Sequence, residues 1–69
     1  MDSRNARNAI ERVISRRDSL IRAAEDLEAC KGFPREIKAS RLFCAGEKRL
    51  DAEALTLAIG ALKREAGIA

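Results

Sequence analysis

Arginine carries most of the chemistry available to this 69-residue chain, supplying ten of its fourteen cationic side chains against eleven carboxylates. Arg12 and Arg16 stand four residues apart, with Ser19 after them and Arg4 and Asn8 one or two turns before. On a helix these residues share a polar side. A guanidinium offers a planar fork of donors that matches carboxylates and phosphates, and Arg is a frequent hot-spot residue in interfaces. That side is therefore either a solvated charged face or a surface for acidic partner groups or phosphates. The chain contains no His, Tyr or Trp. Without imidazole it lacks the usual general base near neutral pH, and neither a Ser-His nor a Cys-His nucleophile can be built within it. Paired carboxylates still allow acid-base work, but that needs a cleft for which so small a helical chain has little room. The expectation is a non-enzymatic protein. Two Cys and no His fall short of the four ligands of a structural zinc site, so neither metal nor cofactor is expected.

The net charge of +3 is mild and unevenly spread. Residues 3–22 hold six Arg against Glu11 and Asp18, 23–36 are net acidic, 37–50 basic and 51–69 slightly acidic. The basic end is thus the first half of the first helical segment. A nucleic-acid surface is usually more basic and often carries stacking aromatics, whereas here carboxylates interleave with the Arg residues and neither Phe lies in that segment. A nucleic-acid partner remains the alternative to a protein partner. No stretch resembles a signal peptide or a membrane span, since apolar runs are short and broken by charge. The expected location is the cytoplasm, with no membrane partner. Cys30 and Cys44 then default to reduced residues of the core or its boundary.

These side chains are positioned by an apolar pattern of helical period. Ala6, Val13, Leu20 and Leu27 recur every seven residues, and Ile10, Ile14, Ile21 and Ala24 fill neighbouring positions. One helix is expected from about Ser3 to Lys31, capped by Asp2 or Ser3 and supported by the i, i+4 pairs Arg7/Glu11 and Asp18/Arg22. Gly32 just past its end and Pro34 at the first position of a second helix make a short turn, which implies an antiparallel hairpin. In the second segment Leu55, Ala58, Ile59, Leu62 and Ala66 form one apolar face, with Leu50, Ala54, Leu57 and Ala61 on an adjacent row. Gly46 leaves two readings, a break there or one uninterrupted helix from Pro34 to Ala66. The uninterrupted helix matches the first in length and suits a hairpin.

The fold class expected is all-α, one hairpin domain over 1–69. The apolar inventory is thin, because 13 of the hydrophobic residues are Ala, and chains below about 70 to 80 residues usually need disulfides, a metal or association. The two helices also carry more apolar surface than one seam covers. Two copies packed into a four-helix bundle answer both points, with Ile10, Val13, Leu20, Leu27, Leu55, Ile59 and Leu62 as interface candidates. The other occupant of the spare surface is a different protein. Arg17 interrupts the first stripe: either its stem packs at the edge with the guanidinium in water, or it pairs with a carboxylate across an interface. Phe33 either caps the end of the bundle or docks a partner, and Phe43 is expected in the core or dimer interface.

With two amphipathic segments around Gly32-Phe33-Pro34, its Ala and Arg richness and its 69 residues, the whole chain resembles the small phage-encoded anti-activators of quorum sensing. The resemblance implies a homodimeric inhibitor that binds the DNA-binding domain of a LuxR-type transcriptional activator in the bacterial host cytoplasm and blocks its DNA binding. It also implies a second target, the pilus assembly ATPase. No motif transfers functional residues, so Arg4, Arg12, Arg16, Arg17 and Phe33 are partner-binding candidates on their own surface chemistry.

Overall fold

A computed structural model describes residues 3–67 and shows two helices, α1 (Ser3–Glu28) and α2 (Arg35–Glu65). They pack along their length as an antiparallel hairpin measuring 51 × 15 × 14 Å. Side chains of Asp2 and Ser3, the expected caps of α1, lie outside what is described. Of the two readings at Gly46 the uninterrupted helix is observed, since α2 runs through that position for 31 residues.

The seam between the helices follows a four-three spacing on both sides. On α1 the buried or half-buried positions include Ala6, Ile10, Val13, Arg17, Leu20, Ala24 and Leu27; on α2 they include Arg41, Ala45, Lys48, Ala52, Leu55, Ile59 and Leu62. This is the alternation of a coiled-coil seam, where a seven-residue repeat keeps one stripe facing the partner helix. The core is small: Ala6, Ile10, Ala24, Ala45, Ala52 and Ile59 are the buried hydrophobic residues. Four of those six are Ala, which lets the helices approach closely and removes little apolar area from water.

The turn differs from the expectation in three respects. α1 ends at Glu28 rather than near Lys31, because the Cys30 amide bonds the Glu28 carbonyl at 2.9 Å and leaves the helical pattern. Gly32 is the third residue of a turn closed by the Phe33 amide on the Cys30 carbonyl at 3.2 Å; its φ of 89° is the positive value a type II turn requires there. Pro34 is the N-cap of α2 instead of its first residue, extended at ψ 158°, and its carbonyl accepts from the Lys38 amide at 2.9 Å. The C-terminal end of α2 agrees with the sequence, ending just before Gly67.

Three side-chain expectations are also corrected. Among the described residues Arg7/Glu11 and Asp18/Arg22 form no ion pairs; Asp18 is engaged by its neighbour Arg17 instead. Cys44 is exposed, while Cys30 sits at the boundary, and both are free thiols. The row of Leu50, Ala54, Leu57 and Ala61 is not adjacent to the seam but opposite it. Nine residues at about 100° each place Leu50 half a revolution from Ile59, and all four of that row are exposed.

Candidate functional site

A polar flank of α1, beside its seam with α2, is the candidate interaction surface. Arg12 and Arg16 are both exposed there, and neither has an ion-pair partner among the described residues. In sequence Glu11 and Asp18 interleave with these Arg residues, but on the helix they separate from them. At about 100° per residue Glu11 lies a quarter turn or more from Arg12, and Asp18 nearly half a turn from Arg16. The neighbours on the Arg12–Arg16 side are Asn5, Asn8 and Ser19, all exposed and uncharged. Arg4 is exposed as well, on a neighbouring row that it shares with Glu11 and Arg22. The surface thus offers two guanidinium forks one turn apart in a setting of small polar groups, an arrangement suited to carboxylates of a partner or to phosphate oxygens.

Arg17 is placed differently. It occupies a seam position, with 27% of its side chain exposed, and its Nε and Nη2 donate to Asp18 Oδ1 at 3.1 and 3.0 Å. Its charge is answered on its own helix, so the guanidinium is paired with a neighbour rather than left to water as the edge reading has it.

Phe33 lies in the turn, 39% exposed, with the Arg41 guanidinium carbon 4.3 Å above its ring centroid. Arg41 Nη2 also donates to the Asp26 carbonyl at 2.7 Å. That carbonyl belongs to the last turn of α1, where it also accepts from the Ala29 amide at 3.3 Å, so Arg41 adds a donor from α2 at the end of α1. Its Nε is buried with no partner among the described residues. Beside this cluster Arg49 grips Glu28 through two bonds, Nε to Oε2 at 2.7 Å and Nη2 to Oε1 at 2.6 Å. The hydrogen bonds from Arg49 hold the Glu28 carboxyl below the usual glutamate range, and Glu28 in turn raises Arg49. These contacts fasten the turn end of the hairpin, and with it the register in which α1 presents its face.

The seven residues expected at a dimer interface all lie in the α1·α2 seam, Ile10 and Ile59 buried and the other five half-buried. The apolar side chains left to solvent are others. Phe43 is 70% exposed, Leu50 63% and Leu57 71%, so Phe43 is not part of the hairpin core. At the open end, Ala6, Ala9, Ile10, Leu62, Glu65 and Ala66 line a cleft of about 250 Å³. Among the described residues no three Cys, Asp or Glu side chains converge on a common metal position, and no helix is long and apolar enough to cross a membrane. Comparison of the chain with protein families, curated proteins and solved structures gave no match.

Proposed function

We propose that this protein is a non-enzymatic inhibitor that occludes the working surface of another protein, with Arg12 and Arg16 as the anchoring side chains. The carrying observation is the exposure of both guanidinium groups, one turn apart and without ion-pair partners, on a lateral face of α1 about a quarter turn from its seam with α2. Groups presented in this way make charge-assisted bonds to carboxylates without first breaking bonds of their own. The resemblance to phage anti-activators of quorum sensing supplies the identity of the target. On that reading, a homodimer in the host cytoplasm binds the DNA-binding domain of a LuxR-type transcriptional activator and keeps it from DNA, and a pilus assembly ATPase is a second target.

A phosphate ligand is the competing reading. That reading uses Arg4, Arg7, Arg12 and Arg16 of the basic first helix. Arg7 lies more than a third of a turn from Arg12, so the four do not reach one phosphate strand together, and affinity through few contacts is low at physiological salt. Capture of the purified activator DNA-binding domain on the immobilised protein distinguishes the two. Retention is expected, and Arg16→Ala is expected to weaken it about tenfold, the scale of one hot-spot residue, with far-UV circular dichroism unchanged. Absence of capture, or retention unaffected by Arg12→Ala and Arg16→Ala together, overturns the proposal. A shift of nonspecific DNA or RNA in a low-salt gel that disappears steeply with added salt would establish the nucleic-acid reading in its place.

A further inference from the structure

α2 carries a second apolar stripe on the side away from α1, and its sequence is self-complementary. Residues at seven-residue spacing along this stripe are Glu36, Phe43, Leu50, Leu57 and Arg64, all exposed. Leu50 is the midpoint of the helix, which runs from Arg35 to Glu65. Phe43 and Leu57 stand equally far on either side of it, and so do Glu36 and Arg64. The small residues obey the same symmetry, Gly46 with Ala54 and Ala39 with Ala61.

We infer that this stripe is the surface through which two copies associate, α2 against α2, antiparallel, about a two-fold axis at Leu50. In that arrangement Leu50 meets Leu50, Phe43 of each copy meets Leu57 of the other, and Glu36 of each copy faces Arg64 of the other. A parallel pairing has the same apolar register but sets Glu36 beside Glu36 and Arg64 beside Arg64, and like charges opposed across an interface are unfavourable. The two-fold symmetry is what selects a second copy as occupant, because an isologous interface requires a patch complementary to itself. Small residues at most of the symmetric flanking positions let the two helix axes approach, while Glu47 and Glu53, also symmetric about Leu50, lie at the rim. A seven-residue stripe drifts about 20° per heptad on a straight helix, so two such stripes align when the helices cross at about 20°.

The surface area agrees in size. The hairpin exposes 5366 Å², whereas a compact monomer of 7.6 kDa exposes roughly 4,300 Å². The excess, about 1,000 Å², is comparable to the ~800 Å² that each partner loses in a standard interface. The resulting dimer has four helices with the α2 pair inside and the Arg12–Arg16 faces of both α1 helices free. This inference rests on the dimeric state proposed above but not on the target. A dimer that captures no activator domain sinks the inhibitor reading and leaves this interface standing.

Sedimentation of the native protein at micromolar concentration is the first measurement, and a dimer is expected; a folded monomer overturns the inference. Leu50→Asp places two carboxylates on the axis and is expected to weaken the dimer about a hundredfold or more; an unchanged dimer overturns the assigned face. Orientation is read by disulfide trapping with Cys30→Ser and Cys44→Ser as background. Phe43→Cys copies are expected to cross-link to Leu57→Cys copies when mixed and oxidised, and neither to cross-link to itself. Self-linking of Phe43→Cys would establish the parallel pairing and overturn the antiparallel one. Should Leu50→Asp lose its helicity, the trapping result on folded protein decides alone.

Discussion

Charge at single residues is resolved in two ways in this molecule, and each makes a different forecast. Arg49 and Glu28 meet in a bidentate pair between the helices, which holds the Glu28 carboxyl low. A carboxyl depressed in the folded state stabilises the fold above its unfolded value and loses that contribution as pH falls through the folded value. For an exposed pair the contribution is small, so the site itself is the better probe. In a carboxyl-detected NMR titration Glu28 is expected to titrate below the usual glutamate range, and in Arg49→Gln to return toward it; an unmoved Glu28 would show that the pair does not form in solution. Arg17 is resolved only within its own turn, by Asp18, while its stem occupies a seam position between Val13 and Leu20. A branched hydrophobic side chain, as at the neighbouring seam positions Val13 and Leu20, takes that place without needing a partner. Arg17→Leu is accordingly expected to raise stability by about 1 kcal/mol in urea denaturation. A loss would mean that the guanidinium contributes more than its stem.

At the scale of the elements the two glycines nearest the turn and the middle of α2 separate backbone geometry from helix propensity. Gly32 has φ 89°, and a Cβ there meets no atom within 4 Å, so the obstacle to substitution is the backbone conformation alone. Gly32→Ala is expected to cost about 1 to 2 kcal/mol. Gly46 is helical and open within one copy, and Ala there keeps the position as small as its symmetric counterpart Ala54 in the α2 pair. Gly46→Ala is expected to stabilise by about 0.5 to 1 kcal/mol, since the helix no longer has to restrain a glycine. Thermal or urea unfolding measures both, and equal signs would refute the assignment. The helices themselves were legible in the sequence, because apolar residues at four-three spacing state a helical period directly and Gly32-Phe33-Pro34 marks a boundary. The end of α1 was not: whether a chain leaves a helix at Glu28 or Lys31 depends on which carbonyl the Cys30 amide finds, and Arg41 stabilises the earlier exit from the other helix. The second row of α2 is also legible in the sequence, since helical spacing alone sets Leu50 opposite Ile59 rather than adjacent to it; that no part of the same chain covers it shows only in the structure. Likewise the spacing of Arg12 and Arg16 was plain, while their separation from Glu11 and Asp18 depended on projecting the chain onto a helix.

The whole molecule is two helices thick in one direction only, and that limits what a single copy can bury. Among the described residues the buried hydrophobic ones are two Ile and four Ala, and Phe43, Leu50 and Leu57 are the most exposed of the large apolar side chains. Burying those three in an α2 pair contributes roughly 1.5 to 3 kcal/mol for each side chain, on both copies, which is large beside the 5 to 15 kcal/mol that typifies the net stability of a domain. Folding and association are then linked, and the unfolding midpoint must depend on concentration. For two chains that unfold as they separate, each tenfold rise in concentration adds about 1.4 kcal/mol to the stability of the folded form. In a domain of this size that corresponds to a midpoint higher by several degrees. Melting curves by circular dichroism over two decades of concentration test this directly. The native protein is expected to shift upward throughout, and Leu50→Asp to melt lower without any shift. A native midpoint independent of concentration would mean that the thin seam of α1 against α2 suffices alone, and that the outward stripe of α2 has no part in stability.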